Sequence, residues 1–224
     1  MQTGLYGHSV FKYLSKQDAC MPKQTFFNLR EEKRQSIEKA ALEEFAEYGF
    51  DSSNMNRIVE QSNISKGSFY QYFEDKKDLY LHLINTLFQK KLHVVEPVMQ
   101  SYKEHSFSHN LAELFHLGLE WSENDPLLHR LGEDFSTMQH LMPEFIQKYK
   151  PDAMDIYLCL LTHAKETGEL REDIDIPITS TFISALINQT TINLMSQPST
   201  KKKRVAIINE LLAFIGRAIL KSKE

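Results

Sequence analysis

Apolar positions fall at helical spacing from about Glu31 onward, where Ile37, Ala40, Ala41, Leu42, Phe45 and Tyr48 recur at three- and four-residue steps. This predicts an amphipathic helix ended by Gly49, a residue that takes the left-handed conformation of a helix terminus without cost. Ser52, Ser53 and Asn54 offer caps for a short helix, Met55 to Gln61, with Ile58 and Val59 turned inward. Asn63 tolerates a tight turn, and Ser65 caps a third helix that reads from Lys66 to Phe73. Within it Phe69 and Phe73 have the spacing of core aromatics. Asp75 then caps a longer helix through Leu79, Leu83 and Leu87 to about Leu92.

Beyond Pro97 the pattern is helix after helix, broken at Asp125-Pro126, Met142-Pro143, Lys150-Pro151, Gly168, Ile176-Pro177 and Gln197-Pro198. The sequence holds no strand-like alternation, internal repeat or low-complexity run, so the fold class is all-α, with five or six helices in the C-terminal part. Residues 1–22 show no sustained period and read as a flexible extension, with Met21 a second possible start.

The 224 residues carry a net charge of −4, which argues against general coating of a polyanion. The sum hides a division: residues 1–92 hold 13 Lys+Arg against 12 Asp+Glu, and residues 93–224 hold 13 against 18. A near-neutral N-terminal part still suits specific DNA binding, in which a few cations position the protein on phosphates and polar side chains read base edges. Two cysteines without C-x-x-C spacing fit a reducing compartment. No run reaches the roughly 20 apolar residues of a membrane span, and no secretion signal opens the chain, so a cytoplasmic location is expected, with no membrane partner.

Two short helices joined by a tight turn behind a supporting helix make a helix-turn-helix, which lays its second short helix in the major groove. The string from Gly49 to Leu79 resembles the signature of the tetracycline-repressor (TetR) family at Tyr48-Gly49-Phe50, Ile58, Ile64 to Ser68, Tyr70, Tyr72-Phe73, Lys76 and Leu79. Ser62-Asn63 departs from the family's usual Ala-Gly, and Asn54 from its usual threonine. The resemblance implies a DNA-binding domain over residues 23–80, its helix-turn-helix at about 54–73, followed by a ligand-binding and dimerisation domain over 81–224. It implies DNA contacts by Ser53 and Asn56 from the first short helix and by Lys66, Gly67, Ser68, Tyr70, Gln71, Tyr72 and Lys76 from the second and beyond. Gln71 has the donor and acceptor to pair with adenine, and Gly67 lets the backbone approach closely. Tyr70, Tyr72 and Lys76 suit phosphate.

In the C-terminal part, residues 177–196 and 201–221 carry apolar stripes, the latter at Ile207, Leu211, Phe214, Ile215 and Ala218, beyond what a monomer's core needs. They predict a homodimer, which a palindromic operator also requires. Asn188, Gln189, Thr190, Thr191 and Asn193 beside Phe182 and Leu186 suit either a ligand cavity or hydrogen bonding at a seam. Trp121, Met154 and Tyr157, with Phe115 and Met138, are further candidates for an effector pocket or for core. His105 with His109, and Cys159 with His163, share helical faces but lack a full ligand set, so no metal and no cofactor are expected. No HExxH, G-x-S-x-G, GxGxxG or P-loop occurs, which leaves an enzyme unsupported. The expected function is a regulator, most simply a repressor, whose operator affinity a small molecule controls.

Overall fold

The computed structural model describes residues 22–138, 140–149, 156–196 and 200–222. The extension expected over residues 1–22 lies outside them apart from Pro22, which is buried. In chain order the helices are α1 (Gln24–Phe27), α2 (Glu31–Ser52), α3 (Met55–Gln61), α4 (Lys66–Tyr72), α5 (Lys76–Ser101), α6 (Phe107–Asn124), α7 (Pro126–Thr137), α8 (Met142–Tyr149), α9 (Ile156–Glu166), α10 (Ile176–Ser196) and α11 (Lys201–Ile219). Among the described residues there is no strand, only an isolated bridge between Leu170 and Leu220, and no helix is long and apolar enough to cross a membrane. The protein is all-α, with an N-terminal helix-turn-helix followed by a larger helical region.

The expected local signals act as their chemistry requires. The Asn54 side chain accepts from Asn56 N–H at 2.9 Å at the start of α3, and Ser65 Oγ accepts from Ser68 N–H at 3.0 Å at the start of α4. Asn63 is the one described non-glycine residue with positive φ, at 51°, and supplies the turn between them. Gly49, at φ 71° and ψ 169°, interrupts α2 before its last three residues. The long helix α5 differs from expectation by running past Leu92 and through Pro97 to Ser101. Proline removes one donor from the ladder, but Pro97 and His93, whose carbonyl loses that donor, are both exposed, while Val98 and Met99 beyond it are buried.

The chain forms two compact units that do not divide at residue 80. One holds the helix-turn-helix region up to Lys90 together with Ser122–Pro151; the other holds Lys91–Trp121 together with Asp152–Glu224. In the first, Phe26, Ile37, Phe45, Ile58, Phe69, Phe73, Leu79, Tyr80, Leu131, Phe135 and Phe145 are buried, so α7 and α8 complete the core around α2 and α5. In the second, Phe107, Leu111, Phe115, Leu160, Leu161, Ile183, Ile187, Ile208 and Ile215 come together from α6, α9, α10 and α11.

Candidate nucleic-acid interface

The short helix α4 is amphipathic in the manner a groove-reading helix needs. Phe69 and Phe73 are fully buried, their rings 5.5 Å apart, and Phe26 of α1 packs 4.9 Å from Phe73. The opposite side leaves Lys66, Gly67, Tyr70 and Gln71 exposed, and the Gln71 amide makes no hydrogen bond among the described residues. Ser68 and Tyr72 are half-buried, and the Ser68 hydroxyl lies 2.8 Å from that of Ser65. Asn56 on α3 is exposed. The far end of α4 is tied down by a segment the sequence pattern did not single out. Lys23 N–H donates to Tyr72 O at 2.9 Å, Lys23 Nζ to Tyr70 O at 3.0 Å, and Thr25 Oγ1 to Gln71 O. These bonds satisfy carbonyls that a helix terminus leaves without partners.

Two residues expected to contact DNA, Ser53 and Lys76, also make hydrogen bonds within the domain. Ser53 is buried and its Oγ donates to Phe50 O at 2.7 Å. Lys76 Nζ donates to Phe50 O at 2.6 Å and Ser53 O at 3.2 Å and lies 4.7 Å from the Phe50 ring centre. An ammonium so placed complements the C-terminal carbonyls of α2.

Supporting helix and reading pair are joined by buried charge. Glu44, only 2% exposed, accepts from Arg57 Nε, whose single N–H is shared between its two oxygens at 2.8 and 2.9 Å, from Arg57 Nη2 at 2.5 Å, and from Asn54 N–H at 2.7 Å. Burial alone would raise this carboxyl, but the Arg57 and Asn54 bonds outweigh it and hold it below its ordinary value. Arg57 also stacks 4.3 Å from the Tyr48 ring centre. Lys33 Nζ closes the turn itself, donating to Ser62 O at 3.0 Å and Asn63 O at 2.8 Å. On the other flank Asp134 of α7 accepts from Phe50 N–H at 3.1 Å and from the Tyr80 hydroxyl at 2.7 Å. A Cβ at Gly49 would stand 2.9 Å from Asp134 Oδ1, so the bare glycine serves both its positive φ and this close approach.

Residues 37–83, the supporting helix, the reading pair and the start of α5, match the family of bacterial regulatory proteins called tetR. The helix-turn-helix region of this chain is thus of the tetR type. It is 24% identical over 206 residues to the fatty acid metabolism regulator protein of Bacillus subtilis, covering 84% of this chain and 95% of that one. In fold it is similar to a TetR-family regulator from Chloroflexus aurantiacus, with TM-score 0.64, 24% identity, and 90% and 100% of the two chains covered. It is also similar to the regulator FadR of Bacillus subtilis in complex with stearoyl-CoA, with TM-score 0.63, 23% identity and 81% and 96% coverage.

The effector candidates fall into two groups. Trp121 and Tyr157 are half-buried in the C-terminal unit, and Tyr157 packs against its core. Phe182, Asn188 and Gln189 stand instead on the exposed side of α10, where Gln189 Nε2 donates to Asn193 Oδ1 at 3.1 Å. Ile183, Ile187 and Leu194 take the inward positions of that helix, which leaves its polar run outside the unit's own core. Phe115 and Met138 are buried core, in different units. Met154 lies outside the described residues. The His105 and His109 rings lie 4.4 Å apart, and no group of three or more metal-ligating residues gathers among the described residues.

Proposed function

We propose that this protein is a dimeric repressor whose two α4 helices occupy successive major grooves of a palindromic operator, and that a long-chain acyl compound releases it. The observation that carries the DNA-binding half is α4 itself, with two aromatics buried on one side and unpaired polar groups presented on the other. Gln71 reads a base edge, Lys66, Tyr70 and Asn56 meet the backbone or neighbouring bases, and Lys76 and Ser53 hold the scaffold. The dimer rests on exposed apolar side chains at Ile178, Phe182 and Leu186 of α10 and at Ile207 and Phe214 of α11, an outer face unlike that of a monomer. Support for an acyl effector comes from the regulators of fatty acid metabolism that the chain resembles along most of its length, one of them bound to stearoyl-CoA.

The test begins with selection of a high-affinity duplex from random sequences. Gln71→Ala should then lose about 1–3 kcal/mol on that duplex and relax preference at one base position in each half-site. Lys66→Ala should weaken binding to all duplexes alike and flatten the salt dependence by about one unit of slope. Fluorescence anisotropy at several salt concentrations separates the two. Selection of no sequence, or both variants binding like the parent, refutes the placement of α4.

A further inference from the structure

The α4 helix has only 7 residues, and so short a helix is not stable on its own hydrogen bonds. The carbonyls of its last turn need partners from outside the helix. Phe73 N–H donates to the first of them, Phe69 O, at 3.0 Å. The other three are satisfied from a distant part of the chain: Tyr70 O by Lys23 Nζ at 3.0 Å, Gln71 O by Thr25 Oγ1, and Tyr72 O by Lys23 N–H at 2.9 Å. Two of these carbonyls belong to Tyr70 and Gln71, whose side chains stand exposed on the other side of α4 from Phe69 and Phe73. The strap thus grips the backbone of the residues that present the polar groups.

Residues 23–27 take their own position from the scaffold behind α4. Phe26 is 1% exposed, with its ring 4.9 Å from that of Phe73 and 5.4 Å from that of His82 on α5. His82 Nε2 in turn lies 2.7 Å from Glu38 Oε1 on α2, and Arg34 Nη1 of α2 donates to Phe27 O at 3.4 Å. The end of α4 is therefore referred to α2 and α5 through the strap. A paired contact to a base edge tolerates displacement of only about 0.5 Å and rotation of about 10–20°. Attraction between a cation and phosphate is far less directional. Fraying of the last turn would therefore disturb Gln71 and spare the charges that hold DNA of any sequence.

We propose that Lys23 and Thr25 are positioning residues for sequence discrimination: they hold the end of α4 so that Gln71 meets a base edge, and they set the preference for operator over other DNA without reading a base themselves. The inference rests on the operator-binding reading above and adds the residues on which its selectivity depends.

Affinity of the full chain is measured for the selected duplex and for a scrambled duplex of equal length, at several salt concentrations. Thr25→Val removes the hydroxyl at nearly constant volume, and Lys23→Met removes the ammonium but keeps the stem. Each should weaken binding to the selected duplex about three- to tenfold and to the scrambled one by less than about twofold, with the salt slope unchanged. Thr25→Ser should keep the parent's preference, because it keeps the donor. In a Gln71→Ala background Thr25→Val should add little, since the side chain it positions is gone. If Lys23→Met fails to fold, Thr25→Val and Thr25→Ser carry the same comparison. Equal losses on both duplexes, or full additivity with Gln71→Ala, would reduce the strap to a stabilising contact and overturn the proposal. A salt slope lowered by about one unit in Lys23→Met would mark that residue as a phosphate ligand and overturn its positioning role. A parent that selects no duplex, or whose preference survives Gln71→Ala, refutes the operator reading, and the strap falls with it. A selective parent that loses its preference in Gln71→Ala but keeps it in the strap variants refutes the strap alone.

Discussion

The double variant Phe182→Glu, Phe214→Glu is expected to run as a monomer in light scattering and to lose about 10²–10⁴-fold in affinity for a palindromic operator. Phe182 is 62% exposed and Phe214 54% exposed. Each carries a ring that the proposed dimer would bury against a second copy, where a carboxylate would oppose its symmetry mate across the two-fold axis. A lone α4 reads too few base pairs, so loss of the partner removes the gain from binding a second half-site at high effective concentration. The same loss is not expected to cost secondary structure, because neither ring belongs to the protomer's core. Ile215, on the stripe expected to form the seam, is 2% exposed and packs inside the protomer. A charge at Ile215 would therefore unfold the C-terminal unit rather than divide a dimer. A double variant that remains dimeric with undiminished operator binding would show that the assembly uses another face.

Glu44→Ala is expected to lower stability by about 2–3 kcal/mol and to weaken DNA binding through disorder of α3. The figure lies below that for a fully buried pair because the Arg57 side chain is 40% exposed and water can solvate it once its partner is gone. What remains unsatisfied is the Asn54 N–H, together with the space left by the side chain. Thermal melts and chemical denaturation measure the loss. Because the folded carboxyl is held below its ordinary value of 4.5, its contribution is present above that pH and fades as pH falls through the lower folded value. The parent should thus lose stability in mild acid by a term that Glu44→Ala lacks. Identical acid profiles for the two proteins would mean that Glu44 does not hold the reading pair in place.

Local chemistry was legible in the sequence because each signal acts over a few residues. Asn54 and Ser65 cap the helices they precede, Gly49 and Asn63 take the positive φ their turns need, and Phe69 and Phe73 are buried at helical spacing. Contacts between distant segments were not legible. Nothing in the spacing of Asp134 announces that its carboxylate will fasten Phe50 N–H and the Tyr80 hydroxyl, or that α7 will complete the N-terminal core. Lys76 reads as a phosphate ligand from its position after α4, yet its ammonium closes the end of α2, an arrangement that only tertiary packing creates.

Coupling of DNA binding to ligand binding within one chain is the property on which the regulatory reading stands, and linkage tests it whichever residues line the pocket. Hexadecanoyl-CoA affinity is measured through Trp121 emission with and without saturating selected operator, and operator affinity is measured with and without saturating hexadecanoyl-CoA. Each ligand is expected to weaken the other by the same factor, on the order of 5–150-fold, since a coupling free energy is reciprocal. Tight binding of both with all affinities unchanged by the other would contradict it.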